Sequence, residues 1–366
     1  MRILYDGKIY EMQAAGGVNR YFANIISRLP KDFTPALTTC KPQDVNYPAH
    51  PNLKTFFYKR YGFRPMQASY WLEKYYFRAV ASFNPLDVVH PTYYSLLTRQ
   101  EVNKCRYPVV LTVWDMIHEI FAERLDPSGQ EVENKRKAIS AAQAIICISE
   151  NTKKDLLERY PLAEGKITVT YLASEIDASL SHGSEAVSSR PYYLYVGGRD
   201  ATYKNFDGLL SAFAKAVSVR PDIALCVVGS PFNDAEKKRI AELKLTDHIE
   251  HYRYANDRHL AKLYRCSVAF VYPSLYEGFG IPPLEAMSCG TVVVASNCSS
   301  IPEVVGDAGI LFNPRATGDL ADILLSLLDN PTERDRLIAK GQQRAQVFSW
   351  DKTVAQTLDV YRSVVK

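Results

Sequence analysis

Short apolar runs alternate with longer amphipathic stretches along almost the whole chain, and few folds accept that rhythm. RILYDGKI is followed by VNRYFANIISRL, where Val18, Phe22, Ile25 and Leu29 fall on one helical stripe. LDVVH, YPVVLTVWD, AIICIS and KITVTYL continue the strand series, and YYLYVGG, IALCVVGS, IEHYRY, VAFVYPS and TVVVAS resume it later. Helical patterns such as FDGLLSAFAKAVSV and DRHLAKLYRCS lie between them. Strands that alternate with helices imply βαβ units and parallel sheets. Strands this uniformly apolar suit sheets covered on both faces.

The series is interrupted once, by the Ser-rich segment LSHGSEAVSSRP from Leu180 to Pro191, which reads as an interdomain linker. At 366 residues the chain is too long for one ordinary core. The expectation is therefore two doubly wound, Rossmann-like α/β domains, 1–180 and 191–349, facing one another across a cleft. Ligands of such sheets bind beyond the carboxyl ends of the strands, so the strand ends are where chemistry is sought.

Composition removes several function classes. An apolar fraction of 47% with 23% charged residues is that of a globular chain. No apolar run nears the ~18–20 residues that span a bilayer, and MRILYDGKIY lacks the order of a signal peptide. A cytoplasmic location is expected. The seven cysteines are scattered, contain no CxxC, and are expected to be reduced thiols. A net charge of +4 is too mild to argue for nucleic acid. The excess is local: Lys59, Arg60, Arg64, Lys74 and Arg78 mix with Tyr58, Tyr61, Phe63, Tyr70, Trp71, Tyr75, Tyr76 and Phe77. This stretch, 58–78, fits either a peripheral contact with anionic lipid or a helix with aromatics packed inward and cations in water.

The strand ends of the second half carry the sharper signals. YLYVGGRDATYKN closes a strand with Gly197 and Gly198, then presents Arg199 and Lys204. Glycines let a ligand approach the backbone, and an Arg with a Lys suits a diphosphate. A plain turn with two solvated cations is the rival reading. Tyr254, after IEHYR, is a candidate for a base pocket, with turn chemistry as the alternative. VAFVYPSLYEGFGIPPLEAMSCG then delivers Glu277 and Glu285, eight residues apart. Pro282 and Pro283 fit the first turn of a helix, and Gly290 ends it. Gly278, Phe279, Gly280 and Ile281 thus lie at a helix N-terminus, which favours an anion. Acids near that point are repelled by phosphate but accept hydrogen bonds from sugar hydroxyls. A ligand with a sugar, a central anion and a second sugar is a nucleotide sugar.

These residues resemble the C-terminal domain of retaining, family 4-type glycosyltransferases of the GT-B fold. The likeness rests on Glu277-GFGIPPL-Glu285 with AMSCG and TVVVAS, on GGR…K at Arg199 and Lys204, and on IPEVVGDAGILFNP. FSWDKTVAQTLDVYRSVV resembles the terminal helix, 350–366, that returns to the N-terminal domain, and GGVNRY resembles the glycine loop after the first strand. The resemblance implies that Glu285 holds the ribose, and that Glu277 with the Gly278–Ile281 backbone holds the donor sugar. It implies that Arg199 and Lys204 neutralise the diphosphate and that Gly16 and Gly17 approach it from the N-terminal, acceptor-side domain. Members of the family often carry His-Asp at a strand end of that domain. LTVWDMIHE places Trp114 at the His position, keeps Asp115, and offers His118 three residues on. Either His118 makes the polar contact from the neighbouring turn, or that role is absent.

The reaction implied moves a hexose from a nucleoside diphosphate to a saccharide or lipid-linked saccharide hydroxyl with retention. Mannose from GDP-mannose, for surface polysaccharide such as O-antigen, is the first expectation. No cofactor and no metal are expected, since cations and the helix N-terminus stand where charge grows on the leaving diphosphate. A nicotinamide oxidoreductase would want GxGxxG opening a helix with an acid about 20 residues on, and the sequence has none. A catalytically silent nucleotide-sugar-binding partner in a polysaccharide assembly is the alternative that the Trp114 departure keeps open.

Overall fold

A computed structural model describes residues 1–13, 16–40, 47–60, 66–183, 187–199, 201–253 and 256–365, with side chains from 69 onward in the third helix. Thirteen strands are placed among these residues: β1 (Arg2–Asp6), β2 (Thr34–Thr39), β3 (Lys54–Phe57), β4 (Val88–Pro91), β5 (Val110–Val113), β6 (Ala144–Cys147), β7 (Ile167–Val169), β8 (Tyr192–Val196), β9 (Ala224–Val228), β10 (Ile249–Tyr252), β11 (Ala269–Tyr272), β12 (Val293–Ser296) and β13 (Ile310–Phe312). The chain divides into two compact units, Met1–Leu172 with Trp350–Lys366, and Ala173–Ser349.

In the first unit β3-β2-β1-β4 form one sheet and β5-β6-β7 another, and a parallel bridge between Val89 and Val109 links them. The second unit holds a single sheet, β10-β9-β8-β11-β12-β13. Every strand pair is parallel. In both units the first strand of the unit lies inside its sheet, and the next strand to its other side is the fourth, as in doubly wound nucleotide-binding folds. The second sheet is buried on both faces: Tyr193, Tyr195, Leu225, Val227, Ala269, Val271, Val292 and Val294 share one cluster with the helix Phe206–Val219 and the helix Thr317–Asp329. That double burial is why these strands read as continuous apolar runs.

The terminal helix Trp350–Val364 packs on the first unit, against the helix Gly17–Ser27, β5 and β6. A buried polar network fixes it. His90 contacts the Tyr361 hydroxyl through Nδ1 (2.6 Å) and the Thr112 hydroxyl through Nε2 (2.9 Å), and Tyr5 meets Tyr361 hydroxyl to hydroxyl at 3.1 Å. Burial pushes the His90 imidazole down to about 3, so it stays neutral. The Thr353 hydroxyl donates to the Tyr171 carbonyl at 2.7 Å.

The boundary falls earlier than the Ser-rich segment suggested. Lys262 donates to the Gly183 carbonyl (2.7 Å), Arg265 to Ser181 (2.9 Å), and Arg190 and Ser188 to Glu250 (3.1 and 2.8 Å). These bonds tie the described part of 180–191 to the second unit, and the chain crosses between units at Leu172–Ala173 and Ser349–Trp350. A polar segment reads as a free linker only if its donors and acceptors face water, and here they face a helix and a strand.

The basic–aromatic stretch divides its residues. Phe77 is buried with Cys40 and Leu97, and the half-buried Tyr58 and Tyr76 pack against this cluster. Arg60 pairs with Glu73 and Glu11, both at 2.5 Å, and lies over the Tyr70 ring. Trp71, Leu72, Tyr75 and Phe83 are exposed on the helix Met66–Phe83, with Lys74 and Arg78 each 5.7 Å from the Tyr75 ring. Tyr61, Phe63 and Arg64 lie outside the described residues. Among the described residues no helix is long and apolar enough to cross a membrane. All seven cysteines are unpaired thiols.

Candidate functional site

The second unit gathers its candidates at the carboxyl ends of β8, β9 and β11. β8 runs into Gly197 at φ +139 and β9 into Gly229 at φ +154. A Cβ on Gly229 would stand 2.7 Å from the Gly197 carbonyl oxygen and 3.1 Å from Arg199. Glycine is therefore required there by space as well as by conformation.

Arg199 is more deeply engaged than a freely extended fork. Its Nε donates to Glu236 at 2.7 Å and one terminal nitrogen to the Ser230 carbonyl at 2.6 Å. Its guanidinium lies 4.7 Å from the Phe232 ring centre and 5.5 Å from that of Phe206, and the side chain is 3% exposed. The other terminal nitrogen, on the Gly229 side, is buried without a partner. Glu236 is itself fixed: it completes the capping box of the helix Asp234–Glu242 with Asn233. One face of the guanidinium is thus held rigidly by the protein, and one N–H group is left at the glycine notch.

Lys204 ends the short 3-10 turn Thr202–Lys204. Its ammonium meets both oxygens of the Glu277 carboxylate, at 2.8 and 3.0 Å. The two loops are also stitched through their backbones, Leu275 N–H donating to the Tyr203 carbonyl at 2.6 Å. Asn205 takes the left-handed conformation (φ +53) and donates to the Pro273 and Pro314 carbonyls at 3.1 and 3.0 Å. The fold thus brings a cation and an acid 73 residues apart into one ion pair.

Gly280 caps the helix Ile281–Ser288 at φ +125, with no side-chain cap bond and prolines in the first turn. A Cβ there would have no neighbour nearer than 3.7 Å, so conformation alone asks for glycine. The loop before it is held from behind. The Ser299 hydroxyl donates to the Glu277 carbonyl (2.5 Å), and the Ser300 hydroxyl is shared between the carbonyls of Glu277 and Phe279 (both 2.8 Å). Phe279 is buried edge-on against Phe348, ring centres 5.7 Å apart. Ser299 and Ser300 were not among the expected site residues. Their signal is the Ser-Ser-Ile-Pro-Glu run at a helix start, with Ser299 held at φ +55.

Glu285 lies one turn into that helix and is buried, accepting a hydrogen bond from the Tyr264 hydroxyl at 3.0 Å. Burial, with the Glu285 charge beside it, drives the Tyr264 phenol well above its ordinary range, so it remains a donor. Tyr254 lies outside the described residues.

The first unit holds the other candidates. Gly16 and Gly17 open the helix Gly17–Ser27. A Cβ on Gly16 would meet the Gln13 side chain at 2.7 Å, and that amide donates to Asn19 at 2.7 Å. Asp115 follows β5 and accepts from the Ile117 N–H at 3.1 Å. His118 sits on the short helix Ile117–Ile120 with its Nδ1 buried and unpartnered. Trp114 is buried against Tyr21 and Phe22, with ring centres 5.0 and 5.9 Å away. Its ring packs in the core, and its indole N–H is buried without a partner.

Two parallel, doubly wound units, with a terminal helix that returns to the first, define the GT-B class of fold. Sucrose-phosphate synthase from Thermosynechococcus elongatus has this architecture, at TM-score 0.80 over 99% of this chain and 98% of its own with 20% identity. HepE from Anabaena, solved with UDP and glucose, matches at TM-score 0.74 over 99% and 100% with 18% identity. Residues 15–175 match Glycosyltransferase Family 4, and residues 179–344 match Glycosyl transferases group 1. The chain belongs to this glycosyltransferase family. It is 30% identical to the O-antigen chain mannosyltransferase B of Escherichia coli, over 62% of each chain. It is 32% identical to the MMP alpha-(1->4)-mannosyltransferase of Mycolicibacterium hassiacum, over 64% of this chain and 57% of that one. It is 30% identical to the alpha-maltose-1-phosphate synthase of Mycobacterium tuberculosis, over 69% and 74%. The chain thus spans somewhat under two thirds of the length of the first two of these relatives.

Proposed function

We propose that this chain is a retaining hexosyltransferase that moves mannose from GDP-mannose to a saccharide or lipid-linked saccharide acceptor in surface polysaccharide synthesis. The Lys204–Glu277 ion pair beside the Gly280 helix start is the observation that carries the reading. It stations a cation for the diphosphate and an acid for sugar hydroxyls in one place. The two relatives named as mannosyltransferases support mannose as the sugar.

In this reading, donor binding exchanges partners. Lys204 turns from Glu277 to the β-phosphate, and the helix start and the unpaired nitrogen of Arg199 add positive potential beside it. Glu277 accepts from hydroxyls of the sugar, and Glu285, with Tyr264 behind it, from the ribose. As the sugar–oxygen bond breaks, charge collects on the diphosphate, where these groups stabilise it without a metal ion. The acceptor hydroxyl attacks on the leaving-group face, its proton passes to the departing phosphate oxygen, and the anomeric configuration is kept. Asp115 and His118 serve on the acceptor side. The exposed Trp71, Leu72 and Tyr75, with Lys74 and Arg78, provide a peripheral lipid contact that brings such an acceptor near.

The test supplies radiolabelled GDP-mannose with and without bacterial membranes, in the presence and absence of EDTA, and assigns the product anomer by NMR. Transfer that survives chelation and retains the α configuration supports the proposal. Binding of GDP-mannose with neither transfer nor hydrolysis would favour a silent binding partner. Complete loss of transfer in EDTA would refute the metal-free mechanism.

A further inference from the structure

The end of β5 contains a charge that the reading above does not use. Lys135, on the helix Gln130–Ala141, is completely buried. A buried ammonium is costly and must be matched by partners. Its partners all belong to one short turn or its support: it donates to the Asp115 carbonyl at 3.0 Å and to Glu119 at 2.8 Å, and its nitrogen is 3.9 Å from the Asp115 carboxylate. It also lies 5.0 Å from the Tyr94 ring centre. The Tyr94 hydroxyl in turn accepts from the backbone N–H of Trp114 at 3.1 Å. The segment 114–119 is therefore fastened at Trp114, Asp115 and Glu119 from a single point behind it.

A stabilising role alone does not explain this arrangement. A buried ion pair is often matched or bettered by a well-packed apolar pair. What this arrangement adds, and a packed apolar pair would not, is a pair of hydrogen bonds that hold the Asp115 carbonyl and Glu119 at set distances. Glu119 is 5% exposed and keeps one carboxylate oxygen unpartnered, and the buried Nδ1 of His118 next to it is unpartnered too. Of these, His118 belongs to the turn itself, and a nitrogen held in place with an open hydrogen-bonding valence suits a ligand that offers hydroxyls.

We infer that Lys135 and Glu119 are positioning residues that fix the Asp115–His118 turn for the acceptor. This rests on the acceptor-side role proposed for Asp115 and His118. The pair touches the reaction only through that turn.

The test uses the full chain labelled with 5-fluorotryptophan, whose three resonances report Trp71, Trp114 and Trp350. Lys135→Met alone leaves Glu119 a buried, unpaired acid and threatens folding, so the deciding variant is Lys135→Met with Glu119→Leu. The expected result is an unmoved Trp350 resonance, showing an intact unit, and a shifted, broadened Trp114 resonance. With GDP-mannose as donor and methyl α-mannoside as acceptor, kcat falls about 10- to 100-fold while the donor KM is unchanged. An unmoved Trp114 resonance overturns the inference whichever nucleotide sugar is the donor. So does wild-type turnover in the double variant when Asp115→Asn is inactive. Wild-type turnover in Asp115→Asn defeats instead the role given to Asp115, and the Trp114 resonance still decides whether the pair shapes the turn.

Discussion

The Lys204–Glu277 pair allows stability and activity to be separated. Its bonds of 2.8 and 3.0 Å are short, yet the side chains keep 22% and 11% exposure. It lies between an exposed pair, worth about 0–1 kcal/mol, and a fully buried one, whose rupture costs about 3–5 kcal/mol. Glu277→Ala should therefore cost roughly 1–2 kcal/mol, because Lys204 can turn to water. In turnover the same variant loses contacts that matter as charge develops, worth about 2.7–4 kcal/mol, or 100- to 1000-fold in kcat. The charge-swapped double variant, Lys204→Glu with Glu277→Lys, discriminates best. Thermal unfolding should show stability recovered relative to either single swap, because the ion pair re-forms with opposite polarity. Initial rates should not recover, because an acid would now face the diphosphate and a cation the sugar. Recovered turnover in the swapped variant would show that the pair serves only the fold, and would refute the reasoning.

Other outcomes follow from the same structure. The His90 imidazole titrates at about 3 when folded and near 6.5 when unfolded, so stability is complete above 6.5 and falls as pH drops towards 3. Lowering pH from 7.5 to 5 should cost the first unit about 2 kcal/mol from this group, a slope that denaturant titrations of His90→Gln should lack. Gly280→Ala should destabilise by about 1–3 kcal/mol through backbone strain, visible as a lower Tm, although no atom lies within 3.7 Å of the added methyl. Tyr264→Phe leaves a Glu285 oxygen without its 3.0 Å donor. The cost should be about 1–3 kcal/mol, with weaker GDP binding by calorimetry; unchanged affinity would remove Glu285 from the ribose site.

Much of this protein is written in local order. The rhythm of apolar and amphipathic runs specified parallel, doubly wound units, because strands buried on both faces must be apolar throughout. The GFGIPP run specified a helix start and its glycine cap, because prolines and positive φ have few other uses. What local order does not encode is partnership across the fold. Only folding brings Lys204 to Glu277, sets Glu236 against Arg199, sends Tyr264 to Glu285 and ties the described part of the Ser-rich segment to the second unit. Nothing in the local sequence sets Lys135 apart from its neighbours Arg136 and Lys137, and only the fold makes it a wholly buried anchor. The physical reason is range. Periodicity and turn chemistry act within a few residues, whereas the pairing of charges depends on which strand ends the sheet order places side by side.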